Sequence, residues 1–153
     1  MIKLIAIGNR LMSDDGIAIA VAENLLNKFK DLNIEIIIAE TDCQTYFNLL
    51  NNNDFVIILD ALYTGAEPGS IDVFSLDDVL KSSNAINTQH DMSIIDFMKI
   101  YNRKLKGYMI GIEVEKVGFG DELSSILKEK FYNICYKVEQ IITNIISEEL
   151  SNA

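Results

Sequence analysis

A chain of 153 residues, 49% hydrophobic and with a single proline, is long enough for one well-buried core and too short to suggest two, so one domain over residues 1–153 is expected. The formal charge of -10, from 23 acidic against 13 basic residues and with no basic run to offset it, argues against nucleic acid or an anionic membrane surface as partner. No segment approaches the ~18 uninterrupted apolar residues of a membrane span, and "MIKLIAIGNR" is too short an apolar stretch for a signal peptide, so a cytoplasmic protein is expected.

The apolar runs "KLIAIG", "IEIIIA" and "FVIILD" are short, rich in isoleucine and valine, and not alternating, which is the pattern of strands covered on both faces. Between the first two lies a helix of about fifteen residues, with Ile17, Val21, Leu25 and Leu26 at helical spacing; "QTYFNLLNN" supplies a second, short helix. "GAEPGS" reads as a turn into an edge strand "IDVF". "DMSIIDFMKIYNRK" follows as an amphipathic helix and "GYMIGIEV" as a buried strand. A long terminal helix from about Glu122 to Glu149 carries apolar Leu123, Ile126, Leu127, Phe131 and Ile134, and its tail is expected to fray from about residue 147. The expected fold is α/β: a three-layer, mostly parallel, twisted sheet of about five strands with helices on both faces.

In such sheets the ligand crevice lies beyond the carboxyl ends of the strands, where chain direction around the sheet reverses, commonly between the first and third strands. Asp15 follows the first strand, Asp60 ends the third, and His90, the only histidine, stands in the polar turn "NTQHD" before the fourth helix. Two carboxylates and one imidazole arriving from three loops at one edge fit an open site for a borderline divalent metal. Each residue also has a plainer role open to it. Asp14 and Asp15, with Ser13 as N-cap, suit the first turn of a helix, where Asp14 contributes at most about 1 kcal/mol. Asp60 could be a solvated strand end, and His90 an exposed loop residue. Gly8, Gly16 and Gly65 read as turn or close-approach glycines, and Asn9 is compatible with a left-handed turn residue.

Other chemistries fit poorly. "GNRLMSDDG" lacks GxGxxG and is acidic where a pyrophosphate would sit, which argues against a dinucleotide. No serine or cysteine stands in a nucleophile elbow, there is no HExxH, and Cys43 and Cys135, far apart and without CxxC spacing, read as reduced buried thiols. A phosphoreceiver domain also pairs acids after its first strand, but here "GNRLMS" intervenes and Lys116 is awkwardly placed for the lysine that such a domain needs. A metal-binding or docking protein without catalysis is a further alternative.

"GNRLMSDDG", "IILDA", "PGSIDVF", "TQHDMSIIDFM" and "IGIEVEKVGFGDELS" together resemble, in order, the successive landmarks of the hydrogenase maturation endopeptidases, nickel-dependent proteases that process the large subunits of nickel–iron hydrogenases. The likeness spans about residues 2–130. It implies removal of a short C-terminal extension from the large-subunit precursor after nickel insertion, and it assigns the family's metal-contacting and catalytic acids and histidine to Asp15, Asp60 and His90. Asp14 and Asp42 are nearby carboxylates without an assigned role. Two departures bear on substrate preference: "ETDCQTYF" replaces a glycine-rich segment, and Val114 stands where many members have proline. A site of two carboxylates and one imidazole without thiolates is weak and open, so the nickel is expected to be presented by the substrate rather than held permanently, with the protein acting as a monomer.

Overall fold

The computed structural model describes residues 1–82 and 92–153. Strand β1 (Ile2–Ile7) leads through a 3-10 turn (Asp14–Gly16) into α1 (Ile17–Phe29), followed by β2 (Ile34–Glu40), α2 (Cys43–Leu49) and β3 (Phe55–Leu62). Then come β4 (Ile71–Ser75), α3 (Leu76–Lys81), α4 (Ile94–Ile100), β5 (Lys106–Glu113) and α5 (Ser125–Ser151). The five strands form one sheet in the order β2-β1-β3-β5-β4, parallel except for β4, which runs antiparallel to β5 at the edge. The chain moves outward from β1 to β2 and then returns to the other side of β1 for β3. The reversal therefore falls between β1 and β3, as the sequence leads one to expect.

Alternation along the strands separates two apolar layers. Leu4, Ala6, Ile57, Leu59, Ile110 and Ile112 face α1 and α5, meeting Ile17, Val21, Leu25, Leu127, Ile134 and Val138. Ile5, Ile7, Val56, Ile58 and Met109 face the other way, onto Phe47 of α2, Leu76 of α3, and Ile94, Phe97 and Met98 of α4. β1 and β3 are buried throughout, which explains their unbroken apolar runs. β2 has the same composition but is half exposed along most of its length, because it occupies an edge and has a neighbour on one side only.

Several boundaries differ from the expected ones for local reasons. α3 is an additional helix: Ser75 caps it by accepting from Asp78 N–H, so β4 passes into helix without a loop. α4 is shorter than its apolar spacing suggests, since Asn102 turns left-handed at φ 48°. α5 begins at Ser125 and runs to Ser151, two residues beyond the expected Glu149 and through the tail expected to fray, with Ile145 and Ile146 buried and the Ser147 and Ser151 hydroxyls donating to carbonyls one turn back. No helix among the described residues is long and apolar enough to cross a membrane.

Candidate active site

The segment between β1 and α1 folds back over the carboxyl edge of the sheet. Gly8 makes this possible: a Cβ there would lie 2.3 Å from the carbonyl oxygen of Asp15. Asn9 accepts a hydrogen bond from Leu11 N–H at 3.0 Å, a local side-chain turn, and its own N–H is aimed at Asp15. The left-handed residue is Ser13, at φ 55°, rather than Asn9. Nor does Ser13 cap the helix; its hydroxyl donates to the carbonyl of Glu122 at 2.9 Å.

The two adjacent acids have separate tasks. Asp14 is fully buried, and its carboxylate accepts three backbone N–H groups: Glu115 at 3.1 Å, Lys116 at 2.9 Å and Ser124 at 2.6 Å. It thereby fastens the loop after β5 to the turn after β1, with backbone bonds from Ser13 N–H to Gly120 O and from Gly120 N–H to Leu11 O beside it. A contribution of at most 1 kcal/mol is too small for such a group, since each charge-assisted bond is worth about 1.5–3 kcal/mol and its loss strands a donor.

Asp15, 3% exposed, is held at both oxygens: Oδ2 accepts Asn9 N–H and Oδ1 accepts the Tyr63 hydroxyl, each at 2.9 Å. Each oxygen keeps a second lone pair for a further ligand. Asp60, 1% exposed, does not end β3 as expected but lies two residues before its last residue, one past the final pairing of β3 with β1 and still paired with Gly111 of β5, and its Oδ1 accepts Ala61 N–H at 2.8 Å. Strand alternation turns Asp60 toward the layer of α2 and α4. There its charge also acts on Cys43, whose thiol is pushed up to about 11, chiefly by burial. Cys135 is likewise raised to about 11 by burial, so both thiols are poor nucleophiles at neutral pH.

Tyr63 joins the acids. Burial first, then the charge of Asp15 and the hydrogen bond to it, with the charges of Asp60 and Asp14 behind, hold the phenol far above its ordinary ionisation range, so it stays a donor. Glu113, buried at the end of β5, accepts Thr64 N–H, Gly65 N–H and the Thr64 hydroxyl at 2.8–2.9 Å, which fixes the turn that carries Tyr63. Gly65 completes that turn at φ 81°, a conformation that suits glycine.

The structure thus brings Asp15 and Asp60 to the carboxyl ends of neighbouring strands, while His90 lies outside the described residues. Among the described residues no group of three His, Cys, Asp or Glu side chains is assembled as a metal site. Sequence reasoning missed Tyr63, Glu113 and the anchoring role of Asp14. Asp42 has an ordinary task, accepting Thr45 N–H as the N-cap of α2, and Val114 donates its N–H to Leu62 O, a bond that proline could not make.

Comparison with known proteins agrees with this architecture. The hydrogenase maturation protease (HycI) family profile matches residues 19–145. A Methanocaldococcus jannaschii protein named for the same protease class is 24% identical over 150 residues, which cover 96% of this chain and 95% of the relative. Among solved structures, the nickel–iron hydrogenase maturation protease HybD from Thermococcus kodakarensis superposes with a TM-score of 0.69 at 26% identity, covering 92% of this chain and 97% of that one. The hydrogenase maturating endopeptidase HybD from E. coli shares the fold at a TM-score of 0.73 and 19% identity, with 94% and 92% covered. With a profile match over most of its length and this sheet order, the chain belongs to the hydrogenase maturation protease family, a family of peptidases.

Proposed function

We propose that this chain removes the C-terminal extension of a nickel–iron hydrogenase large-subunit precursor once nickel has been inserted, and that Asp15, Asp60 and His90 make the contact to the nickel site of the substrate. The observation that carries this reading is the preparation of Asp15. A buried carboxylate at the switch point, oriented by one backbone donor and one phenol, with Asp60 near the end of the next strand, suits a ligand that brings its own positive charge. The other ligands of the metal belong to the precursor.

The protein's part in catalysis is then largely positioning. Docking the loaded metal site against Asp15 and Asp60 holds the precursor tail in register, and orientation of this kind can supply several kcal/mol toward the barrier. Neither described cysteine is prepared as a nucleophile, so water is the attacking group. Tyr63 is a positioning residue here. Tyr63→Phe, which removes the donor to Asp15 Oδ1, is expected to lower the cleavage rate by about tenfold and the melting temperature by about 4 °C, well short of the effect of losing Asp14.

The activity is tested by incubating the purified chain with nickel-loaded precursor and recording intact masses. Release of a single C-terminal peptide supports the reading. Binding of the precursor without any mass change would instead mark a docking homologue.

A further inference from the structure

The rim beside Asp15 carries two large apolar side chains that the fold does not use. Phe119 is 95% exposed and Leu11 is 65% exposed. They stand on different segments, yet the parallel bridge between Met12 and Gly120 sets Leu11 and Phe119 next to each other in register. Leaving both side chains in water forfeits the stabilisation that burying them would give, and nothing in the core is gained by it.

The platform beneath them is rigidly built. The loop after β5 is pinned by the three N–H bonds to Asp14, by Asp14 N–H on Lys116 O, by the Ser13 hydroxyl on Glu122 O, and by the bridge between Ser13 and Val117. Phe119 itself is flanked by Gly118 and Gly120, where an added Cβ would meet nothing within 4 Å, so both sides of the tip stay open to an approaching chain. A fixed support with an exposed aromatic and open flanks has already met the ordering cost of binding. Leu11 stands in the turn that holds Asp15, between Asn9, whose N–H donates to Asp15 Oδ2, and Met12, whose carbonyl accepts Asp15 N–H, so the rim borders the candidate site.

We infer that Leu11 and Phe119 form an apolar docking rim that receives a hydrophobic segment of the precursor next to the bond to be cut, so that the partner is read by an apolar contact as well as by its metal. This inference rests on the cleavage reading above. An apolar occupant follows from the paired side chains, and the precursor from their place bordering the site it must enter. Exposed aromatic anchors on rigid supports are where binding energy concentrates at protein interfaces.

The test is steady-state cleavage of nickel-loaded precursor by Phe119→Ser, Leu11→Ser and Phe119→Leu, with Tyr136→Ser, an exposed aromatic on α5, as control. Phe119→Ser is expected to raise KM by about tenfold with kcat within twofold, Leu11→Ser to raise it less, and Phe119→Leu to recover most of the loss. Tyr136→Ser should leave KM unchanged. Because both rim residues are exposed, all variants should melt with the parent protein. An unchanged KM in both serine variants overturns the rim, and so does a fall in kcat alone. A lighter species in sedimentation with KM unchanged would assign the patch to a second copy of this chain. If the parent protein does not cut the precursor at all, it is the cleavage reading that fails, and precursor binding measured on the same variants still decides the rim.

Discussion

Asp14→Ala is expected to lower stability by about 4 kcal/mol, a fall in melting temperature of about 10 °C for a protein of this size. The carboxylate is fully buried and accepts Glu115, Lys116 and Ser124 N–H, so its removal strands three donors at once and leaves a void where the two loops meet. Discounting the three charge-assisted bonds for non-additivity still leaves a loss several times that of an ordinary first-turn acid. Asp14→Asn, which keeps one acceptor, should lose less. Thermal melting followed by circular dichroism checks this, and a shift of about 3 °C or less in Asp14→Ala would show that the loop after β5 is held without the carboxylate. Because that loop carries the apolar rim, Asp14→Ala should also weaken cleavage. That effect is secondary to stability, whereas for Asp15 the order is reversed.

Asp15→Asn and Asp60→Asn are each expected to reduce cleavage of loaded precursor by at least about a hundredfold, the range found when metal ligands or their supports are altered. Asparagine nearly preserves shape and retains one acceptor oxygen, so the melting temperature should move far less than in Asp14→Ala. The contrast, if found, separates an acid that acts through the fold from one with the proposed role toward the substrate. His90→Ala should match the two aspartate variants in activity. Single-turnover release of the C-terminal peptide, read by mass, is the measurement. Rates within threefold of the parent in all three variants would dismiss the assignment.

The sheet was legible because burial on both faces writes itself into composition: "KLIAIG" and "FVIILD" are continuous apolar runs and fold as the central strands β1 and β3. β2 has an equally apolar sequence, but its place at an edge depends on what the rest of the chain leaves uncovered, which composition does not encode. α3 escaped notice because six residues hold too few turns for a helical period; its one local sign was Ser75 placed to cap Asp78 N–H. Ile17, Val21 and Leu25 fall on the buried face of α1 as expected, whereas Leu26, one step round the helix, is exposed.

At the site, the positions of Asp15 and Asp60 were readable because strand ends and the switch point follow from element order. Their partners were not. Tyr63 reaches Asp15 across 48 residues of sequence, and Asp14 binds N–H groups 101 to 110 residues away. No local pattern can report contacts that form only when the loops after β1, β3 and β5 meet at one edge. For Asp14 the first-turn position supplied a sufficient local explanation, which concealed the larger one. The same long-range ties hold Asp15 in place before any substrate arrives, which is the preparation that the proposed engagement of a metal presented from outside requires.

Nickel dependence is decided by comparing two forms of one large-subunit precursor, nickel-loaded and nickel-free, each incubated with metal-stripped protein while the C-terminal peptide is followed by mass. Prompt release is expected from the loaded form and almost none from the nickel-free form. Equal rates from the two would contradict the claim that nickel held by the substrate is what Asp15, Asp60 and His90 engage.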